Sequence, residues 1–592
     1  MAAKNRKDAD PRYTWDLTQI YPSKEEFEKA LSEAEAEIGE VAALSGKLTG
    51  SAGELKAGLD RFYALSEKLE RAYCYAMLHS STDNGEPEYQ DMEGRAMRLF
   101  VAFSAATSFL APRLLALPED VLNGYVDAPE LKKYRHFLDD IRRGRAHTLD
   151  EGREELLARM SEVARVPSDA FNMFESVDMK FPDVKNSAGE ALPMSHGAYG
   201  MYLESSDRTL RKNAYEAMFG EFKKYENTFA ALYAGQVKTD VFASDTRGFG
   251  SACEAALFGS NVPTEVYDRL IDAVHGGLPA MKKYLALKKR ALGVDELEMY
   301  DLYASVVPEV DFSVPFEDSK KYVLGAVAPL GKEYASLIER AYAEKWMDVY
   351  ENAGKTTGAY SLGVYGVHPF VLLNYTDTLD DVYTVAHELG HSMHSYFSNR
   401  EQDYASHDYH ILVAEVASTV NEVLLTRHLL ETETDPKRRA YVLGRYLEGF
   451  RTTVFRQTLF AEFEKLAHEA FQNGQTLNAE ALCKLYRDLN LLYYDGANVC
   501  DLHGIEWARI PHFYRSFYVY QYATGFSSAV AIADSILSTG DPSPYLKFLT
   551  LGGSDYPIEE LKVAGVDLTS PRPVADAMAE FARRVDELEQ LM

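Results

Sequence analysis

The 592-residue sequence predicts a mainly α fold with one small β-ribbon. Three observations predict it. Apolar residues recur at three- and four-residue spacing through most of the chain. One stretch alone, Tyr360 to Tyr375, is dense in β-branched, aromatic and glycine residues, the composition of two short strands and a turn. Just beyond it, Leu379, Val382, Val385, Ala386, Leu389 and Met393 mark a proline-free helix that carries the motif His387-Glu388-Leu389-Gly390-His391.

Taken in order, the chain opens on the polar run Met1 to Asp10, which leads into no apolar stretch, so no signal peptide is expected. Ser23 to Glu26 reads as a capping box ahead of Phe27, Leu31, Ala34, Ile38 and Val41, one face of a long helix. Helical spacing continues through residues 54–125, where His79 and His136 read as core or surface groups rather than ligands. Near Phe181-Pro182-Asp183 and Asn186 to Glu190 the pattern loosens into a hairpin or domain join. Ser206-Asp207-Arg208 then opens the helix of Arg211, Ala214, Tyr215 and Met218. A last helix, with Val574, Met578, Phe581, Val585 and Leu588 on one face, closes the chain by packing. No run of about 18 apolar residues is seen, so no membrane span is expected.

Composition narrows the function. There are 62 Lys and Arg against 91 Asp and Glu, a net charge of −29, and such a surface repels phosphate backbones and anionic lipid. Neither a nucleic acid nor a membrane is expected as a partner. Cys74, Cys253, Cys483 and Cys500 are scattered, form no C-x-x-C pair, and read as thiols of a reducing compartment, the cytoplasm.

The chemistry concentrates in the H-E-x-x-H helix. A four-residue step brings His391 nearly above His387 on one face, the arrangement two zinc ligands need, and Glu388 between them can reach a water at the metal. Chance supplies this five-residue pattern only about 0.03 times in a chain of this length. A third ligand is required. Gly and His at the positions held by His394 and Phe397 would make a metzincin, and both are missing. Glu415 lies inside the apolar helical run from Ile411 to Leu425, where an unpaired charge is expensive to bury and a cation would make it sensible. His394 shares the face of the other two imidazoles but lies too far along the axis to complete a tetrahedron without bending back, so Glu415 is favoured. Glu422, two turns beyond Glu415, is placed either to orient a ligand or to form a surface ion pair. Far downstream, His512, Tyr514, Tyr518, Tyr520 and Tyr522 crowd polar rings into a short segment, which is costly to bury unless they line a wet cleft; Tyr518 and Tyr522, four apart, share a helix face, with His512 about a turn and a half earlier.

His387 to Ser392 followed by Ala414-Glu415-Val416-Ala417-Ser418-Thr419 resembles oligoendopeptidase F, of the thimet-oligopeptidase superfamily of zinc peptidases. The similarity runs almost end to end, through Tyr13 to Leu17, Gly358 to Ser361, Ile510 to Tyr514, Phe517 to Gly525 and Leu551 to Pro557. It implies a two-lobed gluzincin-type metallopeptidase with a deep enclosed cleft that admits short unstructured peptides. It also implies one Zn2+ held by His387, His391 and Glu415, with Glu388 as general base. A His and tyrosines of the 510–526 segment would lie over the metal, here His512 with Tyr518 and Tyr522, Tyr520 being the alternative to Tyr518. Family members carry a small helical N-terminal domain, which divides the chain into a helical region 1–112, that domain at 113–200, and a catalytic domain at 201–592. A carboxypeptidase or dipeptidyl carboxypeptidase on the same scaffold is the nearest alternative, and an inactive peptide-binding protein is the alternative from another class. An intact Glu388 argues against the latter.

Overall fold

The computed structural model describes residues 4–307 and 312–592. They fall into two compact units. The first comprises Met1–Ala146, Phe312–His428 and Ile532–Gly565, and the second His147–Asp311, Leu429–Ala531 and Val566–Met592. Helices dominate both, as expected, and short strands account for the rest of the regular structure.

The first unit begins with the helices Lys24–Ala42, Ala52–Thr82 and Pro87–Thr107. Ser23 caps the first, its Oγ accepting the Glu26 amide, and Phe27, Leu31, Ala34 and Val41 are buried from its inner face. In the second unit the expected hairpin near residue 186 is present as strands β1 (Val184–Lys185) and β2 (Ala191–Leu192), antiparallel, with Gly189 at φ +79° in the turn. The β-ribbon belongs to the first unit. It consists of β3 (Met347–Asp348), β4 (Tyr360–Leu362) and β5 (Phe370–Leu372), in the order β3-β5-β4, with β4 and β5 antiparallel. Phe370 and Leu372 of β5 join Trp15, Phe27, Tyr75 and Leu78 in one core cluster. The N-terminal helices are thus the floor on which the ribbon lies. β4 is an edge strand.

One stretch differs from the sequence reading. Pro87–Leu115 has the length and the mean hydropathy, 1.2, that a membrane span requires. It is two helices rather than one, and Met92, Ala96, Phe103, Leu110 and Leu114 along it pack into cores of the first unit. Arg95, Arg98 and Arg113 interrupt its apolar residues, so the sequence holds no unbroken apolar run there.

In the second unit Asp207 caps the helix Arg208–Lys224, accepting the amides of Thr209 and Leu210. The last helix, Arg572–Leu591, buries Val574, Met578, Phe581, Val585 and Leu588. It lies so close to the helix Thr264–Leu292 that a Cβ on Gly277 would come within 2.5 Å of the Met578 sulfur. All four cysteines are unpaired thiols.

The first unit also contains an acid with no compensating cation. Glu560, on the helix Pro557–Val563, is 1% exposed, and its Oε1 has no hydrogen-bond partner. Burial, aided by the charge of Asp555, pushes its carboxyl up to about 8. Between the ordinary glutamate value and about 8 the folded chain holds a proton that the unfolded chain has released, so stability falls as pH rises through that window. Glu560→Gln, neutral throughout, should remove this fall and raise the melting temperature at pH 8, by a gain of order a few kcal/mol. Thermal unfolding of both proteins at pH 5 and pH 8 checks it; parallel pH profiles would contradict it.

Candidate metal centre

Two helices of the first unit build the site, the histidine helix Leu379–Glu401 and the glutamate helix Ile411–Thr432. The first is pinned at its start by a capping box. Thr378 Oγ1 accepts the Asp381 amide at 3.2 Å, while Asp381 Oδ2 accepts the Thr378 amide at 2.9 Å and the Thr376 amide at 3.0 Å. Its apolar face, the six positions from Leu379 to Met393, is buried as the spacing requires.

The two helices meet at Gly390. A Cβ there would lie 2.6 Å from Ser418 Cα and 2.7 Å from the Ala417 carbonyl oxygen, so only glycine permits this approach. Asn421, fully buried, fastens the crossing: its Nδ2 donates to the Ala386 carbonyl at 2.9 Å, and its Oδ1 accepts from Tyr334 OH at 2.9 Å. A neighbouring hydroxyl sets the carboxylate of Glu415, since Ser418 Oγ donates to Glu415 Oε2 at 3.2 Å. Neither Gly390 nor Asn421 nor Ser418 stood out in the sequence. The glycine inside the motif was the one available signal.

The crossing brings His387, His391 and Glu415 together, with one ligand atom from each within 4.8 Å of the others. Glu415 Oε2 lies 3.4 Å from His387 Nε2 and 3.7 Å from His391 Nε2. Ligands about 2.1 Å from a tetrahedral zinc are separated by about 3.4 Å, so this donor set fits the ion in both chemistry and spacing. His387 Nδ1 is 2.7 Å from Glu422 Oε1. Burial lowers the basicity of His387, but the hydrogen bond and charge of Glu422, with Glu388 and Glu415 adding to them, lift it to about 9. His391, buried beside that cation, is pushed down to about 3. Two carboxylates, Glu415 and Glu422, therefore stand beside the imidazole pair. Glu388 is 6% exposed; burial, then the charges of Glu415 and Glu422 against the opposing pull of His387, raise it to about 7, where a group exchanges protons readily at neutral pH.

His394 is not part of this cluster. It is 1% exposed, stacked on Tyr409 with ring centroids 3.6 Å apart, and burial holds it at about 3. The ribbon is fastened to the same helix: Ser361 Oγ of β4 lies 2.8 Å from Ser392 Oγ, and a Cβ on Gly363 would come within 2.7 Å of Ser395. A cavity of 340 Å³ opens where the ribbon meets the start of the helix, lined by Gly358, Ala359, Asn374, Tyr375, Asp381 and Thr384. A larger one, 890 Å³, lined by residues such as Lys132, Arg135, His136, Asp403 and Tyr556, does not include the three donors.

Because Glu422 is the hydrogen-bond partner of the His387 ring, Glu422→Ala should weaken metal binding about 10- to 100-fold while leaving the fold intact. Competition with a chromophoric chelator measures it, and unchanged affinity would reduce Glu422 to an incidental neighbour.

The second unit carries the other predicted residues. His512, Tyr518 and Tyr522 form one half-buried ring cluster. The His512 ring lies parallel to Tyr518 at 6.3 Å and edge-on to Tyr522 at 6.0 Å, and the two tyrosines meet edge-on at 5.4 Å. Burial and the nearby Arg515 lower the basicity of His512. Tyr520 points the other way, 2% exposed and packed against Tyr267 at 5.3 Å, and Tyr514 stacks on Phe171 at 4.3 Å. The segment is not the single helix its spacing suggested. His512 sits in a separate short turn, Pro511–Tyr514, and the long helix starts only at Tyr520, so Tyr518 precedes it.

The chain resembles known proteins in sequence and in fold. The model of peptidase family M3 matches residues 201–580, and that of oligopeptidase F matches 113–181. Oligopeptidase PepF of Bacillus subtilis is 42% identical over 592 residues, spanning 99% of this chain and 88% of that protein. Group B oligopeptidase PepB of Streptococcus agalactiae is 40% identical, with 99% and 98% covered. Among solved structures, oligoendopeptidase-F from Enterococcus faecium superposes with a TM-score of 0.74 at 37% identity, covering 96% of this chain and 99% of that one. A peptidase structure from Chlamydophila abortus reaches 0.95 at 35% identity over the whole of both chains. With His387 and His391 on one helix and Glu415 on the next placed so that they could hold a metal ion, and with full-length relatives of this kind, the chain belongs to peptidase family M3, as a metallo-endopeptidase of the oligoendopeptidase F type.

Proposed function

We propose that the chain is a cytoplasmic zinc endopeptidase that hydrolyses internal bonds of short, unstructured peptides. The observation that carries this reading is the convergence of His387, His391 and Glu415 with Glu388 beside them on the same helix. His387, His391 and Glu415 would hold Zn2+, which would supply a Lewis acid toward the water and the scissile carbonyl. Glu388 takes the proton of the attacking water and delivers it to the departing amine nitrogen. His512 with Tyr518 or Tyr522 donates hydrogen bonds to the oxyanion as the carbonyl becomes tetrahedral. The peptide backbone pairs with edge strand β4, which Ser361 and Gly363 fix against the histidine helix.

Endopeptidase and dipeptidyl carboxypeptidase activity part on one substrate, a peptide of about ten residues acetylated at one end and amidated at the other. Mass spectrometry should show internal cleavage of this doubly blocked peptide, abolished by a chelator. Cleavage confined to peptides with a free carboxylate would make the enzyme a carboxypeptidase. Peptide retention without cleavage would make it a binding protein.

A further inference from the structure

Immediately before Tyr518 the backbone of the second unit adopts a conformation its sequence does not favour. Phe517 has φ +57°, in the left-handed region that residues with a Cβ, and bulky ones above all, rarely occupy. Such a residue persists only where its surroundings over-determine it. Here they do. The Phe517 amide donates to Glu464 Oε1 at 3.0 Å, on the helix Arg456–Gln472. The preceding Ser516 Oγ donates to Asp240 Oδ2 at 2.6 Å, on the helix Glu226–Arg247. The Phe517 ring, 3% exposed, packs against His468 at 4.6 Å and Tyr267 at 5.8 Å.

Glu464 itself has no packing reason to be an acid. It is 0% exposed, no cation pairs with it, and its Oε2 has no hydrogen-bond partner. Burial raises its carboxyl well above the ordinary range, the Phe517 amide pulling the other way and the charge of Asp240 adding to the rise. Its one polar side-chain contact is the amide of the strained residue. The turn has a consequence for the next side chain. After Phe517 the chain reverses, the Tyr518 and Val519 carbonyls accept the first amides of the helix Tyr520–Thr539, from Gln521 and Tyr522 at 3.2 Å each, and the Tyr518 ring is left outside the helix under the Arg515 guanidinium at 4.3 Å. A right-handed residue at 517 would let the helix begin earlier and swing that ring to another position.

We propose that Glu464 is a positioning residue for turnover: by holding the Phe517 amide it fixes the left-handed turn that presents Tyr518 beside His512 and Tyr522. This rests on the reading that Tyr518 serves the oxyanion, and the experiment separates the two.

Glu464→Gln keeps a neutral acceptor for the amide, whereas Glu464→Met has similar volume and none. Glu464→Gln should keep kcat within about threefold of the parent. Glu464→Met should lower kcat about 10²-fold, the loss that a displacement of about 1 Å brings, with KM and metal content nearly unchanged. A merely structural role predicts a lowered melting temperature with kcat intact, and that result would overturn the proposal. So would equal losses in the Gln and Met variants. Tyr518→Phe is the control: parental kcat in it would show that the reading of Tyr518 fails, while a fall in it without a fall in Glu464→Met would show that the positioning role fails. On the Tyr518→Phe background Glu464→Met should add little, because the hydroxyl it positions is gone; full additivity would contradict the proposal. If Glu464→Met does not accumulate, Ser516→Ala removes the other anchor of the turn and should lower kcat about tenfold with KM unchanged, and an unchanged kcat there would count equally against the proposal.

Discussion

Glu388→Gln should retain its metal and lose at least about 10³-fold in kcat. The amide has nearly the shape of the carboxylate and is not one of the three donors, so the ligand set His387, His391 and Glu415 is untouched. What it lacks is the ability to accept a proton. The usual contribution of a general base is about 10²- to 10⁴-fold, and the lower end is exceeded here because the same group orients the nucleophile. Burial strengthens the expectation: at 6% exposure Glu388 has no bulk solvent beside it to take over the transfer. Metal analysis beside the kinetics makes the result interpretable. A variant with bound metal and more than a tenth of the parental kcat would remove Glu388 from the mechanism.

The second large effect separates Glu415 from His394. Glu415→Ala should strip most of the metal during dialysis against a weak chelator, and activity with it, whereas His394→Ala should keep close to one ion per chain. The distances decide the ranking. Glu415 Oε2 is within 3.4 Å and 3.7 Å of the two imidazole nitrogens, while His394 is stacked flat on Tyr409 and sealed from solvent. Losing His394 removes a buried ring from a packed core, so its variant should be less stable, by about 2–4 kcal/mol. The two substitutions should therefore split cleanly, one acting on metal and the other on melting temperature. The reverse split would mean that the wrong third ligand has been chosen.

Which parts of this were legible in the sequence follows from the range over which each is encoded. The histidine pair was legible because a metal imposes an i, i+4 step on a helix, and the step is local. Glu415 was legible as the one acid among Leu412, Val413, Val416 and Val420, although the fold leaves its side chain 39% exposed rather than buried as that argument supposed. What holds the two helices at the right separation was not. The Gly390 contact with Ala417 and Ser418, and the Asn421 bond to Ala386, join residues far apart in the chain through backbone atoms, which have no side-chain signature. Glu422 could be narrowed to two roles and no further, because only the fold decides whether a carboxylate two turns along meets an imidazole or water; it meets Nδ1 of His387.

The tyrosines show a different limit. Tyr518 and Tyr520 differ by two positions, and which of them faces outward depends on where the helix starts. That start is set by a left-handed Phe517, a conformation that a phenylalanine does not announce and a glycine would have. The spacing of Tyr518 and Tyr522 suggested a shared helix face; the rings do meet at 5.4 Å, although one of them lies outside the helix.

In the proposed mechanism one metal ion, bound by His387, His391 and Glu415, makes this chain a peptidase. The most direct measurement is to strip the protein of metal and titrate Zn2+ back while following cleavage of the doubly blocked peptide. Activity should start near zero, rise linearly, and break at one equivalent per chain, with the Glu415→Ala protein staying inactive across the same range. Full activity before any zinc is added, or a break that leaves the Glu415→Ala protein as active as the parent, would contradict it.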